Sequence, residues 1–177
     1  MPPAKRRVLA AGLDRAERPV RRVLDVGGGT GRAARVLGDF EPVVVDLSRP
    51  MLRVAHEKGL RTVQGDARRL PVADESVDAA VFVDALHHVP DVPAALADVA
   101  RVLRPGGVLV VRDFDPTTLR GRALVAAEHL FGMGSTFYAP DDLASLLADA
   151  GLRPTVVETG FGYTVAGVKR RSEPREQ

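Results

Sequence analysis

Apolar residues are arranged in two textures that alternate along the chain. Short runs dense in β-branched residues give way to longer stretches in which apolar positions recur every three or four residues. The runs Arg22–Val26 (RVLDV), Pro42–Asp46 (PVVVD), Arg61–Val63, Val77–Val83 and Val108–Arg112 read as five strands. Their nearly continuous apolar character is that of strands covered on both faces. Between them, Thr30–Leu37 is spaced as a helix ending near Gly38, and Arg49–Lys58 as a helix stopped by Gly59. Val92–Leu103 places Val92, Leu96, Val99 and Leu103 on one stripe. Arg104-Pro105-Gly106-Gly107 predicts a turn before the fifth strand. Strand and helix in strict alternation predict βαβ crossovers and hence a parallel sheet.

The last third changes texture. Leu119–Phe131 reads as a helix, Gly132–Phe137 as a loop, and Pro140–Ala150 as a second helix with Asp141 and Asp142 at its positive end. Pro154–Glu158 and Tyr163–Val168 are two β-rich runs separated by Thr159-Gly160-Phe161-Gly162, the spacing of a hairpin. No internal repeat, low-complexity tract or linker interrupts the pattern. A single domain over residues 1–177 is expected.

The chemistry is concentrated at the ends of the first strands. Leu24-Asp25-Val26-Gly27-Gly28-Gly29-Thr30-Gly31-Arg32 joins a buried strand to a helix through glycines, so a ligand can approach the backbone with no Cβ in the way. Taken alone this turn is ambiguous, because Gly29-Thr30-Gly31-Arg32-Ala33-Ala34 also fits the GxGxxA form of a dinucleotide site. Its surroundings favour a different ligand. Asp25 stands two residues before the first glycine, where it can meet a positively charged amino-acid group. Asp46 closes the second strand 19 residues after Gly27, where a carboxylate can accept from ribose hydroxyls. Gly65-Asp66-Ala67 follows the third strand, so Asp66 can accept from an adenine amino group while the Ala67 N–H donates to the neighbouring ring nitrogen. Three carboxylates at three adjacent strand ends suit a cationic adenosine compound and repel a pyrophosphate.

With these residues in place, the sequence resembles the class I S-adenosylmethionine-dependent methyltransferases. The similarity is greatest to the group that includes the ubiquinone/menaquinone C-methyltransferases. Val23–Gly31, Val43–Asp46, Gly65–Ala67, Val77–Val89 and Leu103–Gly107 look like successive motifs of that family, and Tyr138–Gly151 matches more loosely. The resemblance implies an α/β, Rossmann-like, seven-stranded mainly parallel sheet of order 3-2-1-4-5-7-6, with strand 7 antiparallel and helices on both faces. It implies S-adenosylmethionine as cofactor, with Asp25 and the turn Gly27, Gly28, Gly29 and Gly31 around its methionine part. Asp46 would hold the ribose, Leu47 and Met51 would flank the adenine, Gly65, Asp66 and Ala67 would meet its polar edge, and Asp84 would line the methyl donor. It further implies methyl transfer to oxygen, nitrogen or carbon of a small, partly apolar metabolite. Two other readings stay open: a non-catalytic S-adenosylmethionine-binding partner or sensor, and, from the GxGxxA match, an NAD-dependent oxidoreductase.

Methyl transfer from a sulfonium needs positioning and exclusion of water more than it needs acid–base help. Should a base be required, Asp84, His87, His88, Asp113 and Tyr138 are candidates near the strand ends, the histidines because they titrate near neutrality. The late aromatics Phe131, Phe137, Tyr138, Phe161 and Tyr163 are expected to include a lid. No metal site is expected, since thiols are lacking and the aspartates are assigned.

Composition narrows the field further. The absence of cysteine among 177 residues removes a thiolate nucleophile, disulfides and the covalent route to C5-methylated cytosine. The residues after the fourth strand read Asp84-Ala85-Leu86-His87, not the Asn/Asp-Pro-Pro-Tyr motif of base amino-methylation, which disfavours nucleic acid as acceptor. No apolar run is long enough for a membrane span and Met1–Arg22, without an apolar h-region, does not read as a secretory signal, so a cytoplasmic protein is expected. The net charge of +2 divides into +5 on residues 1–22, +2 on residues 169–177 and −5 on residues 23–168. The basic ends, 1–20 and 170–177, are therefore expected to be solvated and flexible. Relatives commonly carry helices ahead of the first strand, so the site is expected to be open, to be closed by Asp115–Tyr138, or to be completed by another chain, as in a homodimer.

Overall fold

The computed structural model describes residues 3–130 and 134–171. Phe131, the first two residues of the expected loop 132–137, and the basic tail beyond Arg171 lie outside them.

Seven strands form one sheet: β1 (Arg22–Val26), β2 (Glu41–Asp46), β3 (Arg61–Gln64), β4 (Val77–Val83), β5 (Leu103–Phe114), β6 (Leu152–Glu158) and β7 (Gly162–Lys169). Their order is β3-β2-β1-β4-β5-β7-β6. Strands β1–β5 run parallel, and β7 lies antiparallel to both β5 and β6. This is the sheet that the family resemblance implies. Successive residues of the central strands point to opposite faces, and each face is covered. Leu24, Val26, Phe82, Leu109 and Val111 pack with α3 (Val92–Val102) and α5 (Pro140–Asp149) through Leu96, Val99, Leu143 and Leu147. Val23, Ala79, Val81, Val108 and Val110 pack on the other face with Leu9 and Leu13 of α1 (Pro3–Leu13). A third cluster joins Val44 to Leu52 and Ala55 of α2 (Arg49–Glu57).

Three local features depart from the sequence expectations. The N-terminal segment, read as charged chain, holds helix α1. Leu9 and Leu13 are buried, and Gly12 allows close approach to β5, since a Cβ there would lie 2.6 Å from Val110. Thr30–Leu37 is not an α-helix. Turns carry the chain to a single 3₁₀ stretch, Ala34–Leu37, because Gly27, Gly29 and Gly31 all hold positive φ and leave too few residues before Gly38 to propagate a helix. Arg104–Gly107 is not a free turn either. Val77 pairs with Leu103 and Ala79 with Val108, so the four residues form an excursion within β5.

At the end of the sheet away from the glycine turn, Asp78 is buried. Its Oδ2 accepts from the backbone N–H of Arg21 and Arg22 at 3.1 and 2.9 Å, and its Oδ1 pairs with Arg104 at 2.9 Å and Arg18 at 3.1 Å. These bonds hold its carboxyl below the ordinary range against the opposing effect of burial.

Candidate active site

The glycine turn is shaped by what surrounds it. The N–H of Gly27 donates to the carbonyl of Val45 at 2.8 Å, tying the turn to β2. A Cβ on Gly28 would lie 2.6 Å from the Asp25 carboxyl, so this position requires glycine for close approach. The turn thus exposes its backbone at the carboxyl ends of β1, β2 and β4, where open α/β sheets bind ligands. A cleft of two chambers lies there. The first, about 530 Å³, is lined by Asp25, Gly27–Gly29, Arg32, Met51 and Asp84. The second, about 280 Å³, is lined by Asp46, Leu47, Gly65–Ala67, Asp84 and His88. Gly27 and Asp84 border both chambers. Every expected cofactor residue except Gly31 lines one of them. Gly31 instead adopts φ +76° beneath Leu60 of the α2–β3 connection, a site too crowded for a side chain.

Asp25 is 1% exposed, and its Oδ2 accepts from the Ala34 N–H at 3.0 Å. Burial pushes its pKa up to about 7, partly opposed by that bond and reinforced by the nearby Asp46 charge. It therefore anchors the 3₁₀ stretch, a structural duty that the sequence did not reveal, while presenting a carboxyl short of positive charge to the cleft. Asp46 holds both ends of its own corner: Oδ2 accepts from Gly29 N–H and Oδ1 from Ser48 N–H, each at 2.8 Å. Each oxygen keeps a lone pair for a ligand hydroxyl. Asp66, expected to accept from an adenine amino group, already has a partner within the chain. Its carboxylate is gripped by the Arg68 guanidinium, with Nη2 to Oδ2 at 2.6 Å and Nε to Oδ1 at 3.0 Å, which lowers its pKa.

Asp84 sits at φ +53°, the left-handed region that asparagine and aspartate tolerate, and its N–H donates to Arg112 O at 2.9 Å. The next residues form a 3₁₀ turn, Leu86–His88, that separates the two histidines in environment. His87 is buried. Its Nδ1 lies 2.6 Å from Asp113 Oδ1, its backbone N–H donates to Asp113 Oδ2 at 3.2 Å, and its ring stacks on Phe137 at 4.4 Å. His88 is solvent-open, with Nδ1 3.0 Å from Ser135 Oγ, and its pKa is lowered by desolvation and by His87. Sequence reading proposed Asp113 but not its pairing, and it missed Ser135 and Arg32 altogether. Ser135 carried no signal beyond its loop, whereas Arg32 lay inside the glycine motif.

The aromatics divide. Phe137 covers His87, Phe161 packs on Phe114 at 5.1 Å, Tyr138 packs against the core, and Tyr163 is fully buried, with burial driving its pKa upward. Phe131 lies outside the described residues. Tyr138 is not among the residues lining either chamber.

Residues 24–111 match the methyltransferase domain family. The chain is similar to the malonyl-[acyl-carrier protein] O-methyltransferase of Xylella fastidiosa (strain M23), with 39% identity over 58% of this chain and 38% of that protein. It is similar also to the demethylmenaquinone methyltransferase of Mycobacterium sp. (strain KMS), with 41% identity over 63% of this chain and 50% of that protein. The chain thus spans half or less of the length of these curated relatives. Among solved structures, an S-adenosylmethionine-dependent methyltransferase from Thermotoga maritima superposes with a TM-score of 0.77 at 25% identity, over 94% of this chain and 90% of that one. No helix among the described residues is long and apolar enough to cross a membrane.

Proposed function

We propose that this chain, which through residues 24–111 belongs to the class I S-adenosylmethionine-dependent methyltransferases, transfers a methyl group to a small, partly apolar metabolite. The observation that carries the reading is the pair of adjoining chambers that share Gly27 and Asp84, with Asp25 and Arg32 on the wall of one and Asp46 and Asp66–Ala67 in the other.

The donor set fits an adenosyl amino acid. Asp25, buried and short of positive charge, receives an ammonium group, and Arg32 on the same wall receives a carboxylate. Asp46 accepts from ribose hydroxyls with the lone pairs left by Gly29 and Ser48. Leu47 and Met51, both substantially exposed without a ligand, cover the two sides of the base. Gly65, Asp66 and Ala67 meet its polar edge once Asp66 yields part of its hold on Arg68. Asp84, shared by both chambers, stands where adenosine and amino-acid parts meet. When bound, S-adenosylmethionine supplies an already activated methyl group on a sulfonium sulfur. The chain's contribution is to fix that donor, desolvate it and seat the acceptor against it at the His87–His88 turn. Tyr138, partly buried against the core and outside both chambers, is given no role in this proposal.

A small acceptor accords with relatives named for demethylmenaquinone and with Asp84-Ala85-Leu86-His87, in place of the Asn/Asp-Pro-Pro-Tyr motif of base amino-methylation, after β4. A cytoplasmic setting, in keeping with the cysteine-free chain, belongs to the same proposal. The test is transfer of labelled methyl from S-adenosylmethionine by the purified chain to a panel of quinols, phenols and carboxylates. Product on any acceptor that vanishes in Asp46→Asn supports the proposal. Donor binding without transfer to any of the panel leaves a binding module in its place.

A further inference from the structure

The geometry points to a divalent-metal site formed by His87, His88 and Glu128. The inference rests on the reading of the adjoining cleft as a methyl-donor site, and deepens it by naming the acceptor's chemistry. Each of the three side chains brings one ligand atom within 4.8 Å of the other two. Glu128 comes from α4 (Leu119–Leu130), far from the histidines in sequence, and its Oε2 is buried without a hydrogen-bond partner among the described residues. A buried carboxylate oxygen in that condition is costly unless something cationic sits against it.

The two imidazoles are prepared for the same role. Nδ1 of His87 is engaged by Asp113 and Nδ1 of His88 by Ser135, so Nε2 of each ring is left to ligate. A ligand histidine whose other nitrogen is tied to a carboxylate or hydroxyl is the usual outer-shell arrangement of a metal site. The His87 ring is further fixed by its stack on Phe137, and the turn is pinned where Thr136 N–H donates to His87 O at 2.8 Å. The chain has no thiols and its cleft aspartates face the donor, but Glu128 supplies a carboxylate that is free of both constraints.

Two imidazoles and one carboxylate select a borderline first-row ion such as Zn²⁺ or Co²⁺; Ca²⁺ and Mg²⁺ demand more oxygen ligands. Three protein ligands leave coordination open for substrate. His88 also lines the donor cleft, so an oxygen bound to the metal lies beside the methyl source. The acceptor class is therefore an enol, phenol or β-dicarbonyl compound. Its oxygen binds the ion, its O–H or C–H proton is released to water, and the resulting anion is the nucleophile, with no change of oxidation state. His87 and His88 act as ligands, and the ion takes the place of a histidine base.

The test is titration of the chelator-stripped chain with Co²⁺, read by visible absorption and by displacement with Zn²⁺, with S-adenosylhomocysteine affinity measured on the same sample. We expect one equivalent of cobalt with a ligand-field band. Binding should weaken about 10–100-fold in Asp113→Asn. It should weaken at least as much in His88→Ala and Glu128→Gln, and remain unchanged in His129→Ala. Glu128→Gln should retain nucleoside affinity, which shows that it is folded. No cobalt uptake, or equal uptake by the His88→Ala/Glu128→Gln double variant, overturns the site. Cobalt held by the triad in a chain that does not bind S-adenosylhomocysteine upholds the site and refutes only the donor reading.

Discussion

Nδ1 of His87 lies 2.6 Å from Oδ1 of Asp113, both side chains are buried, and the same carboxylate also receives the backbone N–H of His87 and of Phe114. One aspartate at the end of β5 thus fixes the position and ring orientation of a histidine 26 residues earlier. In metal-free protein the two residues should be energetically coupled. A double-mutant cycle with Asp113→Asn and His87→Phe, measured by denaturant unfolding, should give a coupling of about 1–3 kcal/mol. Additive effects would show that the bond does not organise the turn.

Asp25 predicts a pH-dependent stability with a definite sign. Its folded pKa, about 7, exceeds the ordinary 3.8, so the folded state holds a proton that the unfolded state has lost. Stability from this group is therefore greatest at acidic pH and falls as pH rises from about 4 to about 7, by roughly 1.4 kcal/mol per unit. Asp25→Asn should gain on the wild type through that window and hold a constant advantage above it. Melts of both proteins at several pH values check this, and a constant difference across pH 4–7 would refute it.

The same group sets a binding signature. A ligand ammonium beside Asp25 requires its ionised form, so affinity for S-adenosylhomocysteine should rise with pH from about 5.5 to 7. Proton release should be visible when calorimetry is repeated in buffers of different ionisation enthalpy. Asp25→Asn should abolish both the dependence and the release.

Asp46→Asn should weaken S-adenosylhomocysteine binding by about 2–3 kcal/mol, because charge-assisted acceptance from ribose hydroxyls is lost. Since Asp46 also holds Gly29 and Ser48, alanine would disturb the turn itself, and asparagine is the cleaner variant. Unchanged affinity in a folded Asp46→Asn protein would remove ribose from its account.

Asp78 provides the contrasting case. Asp78→Ala should cost roughly 3 kcal/mol of stability by stranding the Arg21 and Arg22 N–H groups and Arg104. Nucleoside affinity should be untouched, as Asp78 lies at the opposite end of the sheet. Because its carboxyl is held below the ordinary range, its contribution is present at neutral pH and fades as acid titrates it. A loss of affinity equal to the loss of stability would contradict this separation.

The first five strands were legible because each is a compact run rich in β-branched residues, and their order followed from the family resemblance once the carboxylates at β1, β2 and β3 were recognised. Helix α1 was overlooked although Leu9 and Leu13 share a face four residues apart, because seven basic groups in residues 1–22 dominate its appearance. Glu128 and Ser135 could not be placed, since their approach to His87 and His88 depends on how the chain after β5 returns over the strand ends. Arg68 shows a different limit: a guanidinium two residues from Asp66 is visible in the sequence, but its bidentate grip is a matter of rotamer and not of spacing.

The central claim is that this cleft binds S-adenosylmethionine, and calorimetric titration of the purified chain with S-adenosylmethionine and S-adenosylhomocysteine, with NADH as control, tests it most directly. The account predicts micromolar binding of both sulfur compounds and none of NADH. Binding of NADH without binding of S-adenosylhomocysteine would contradict it.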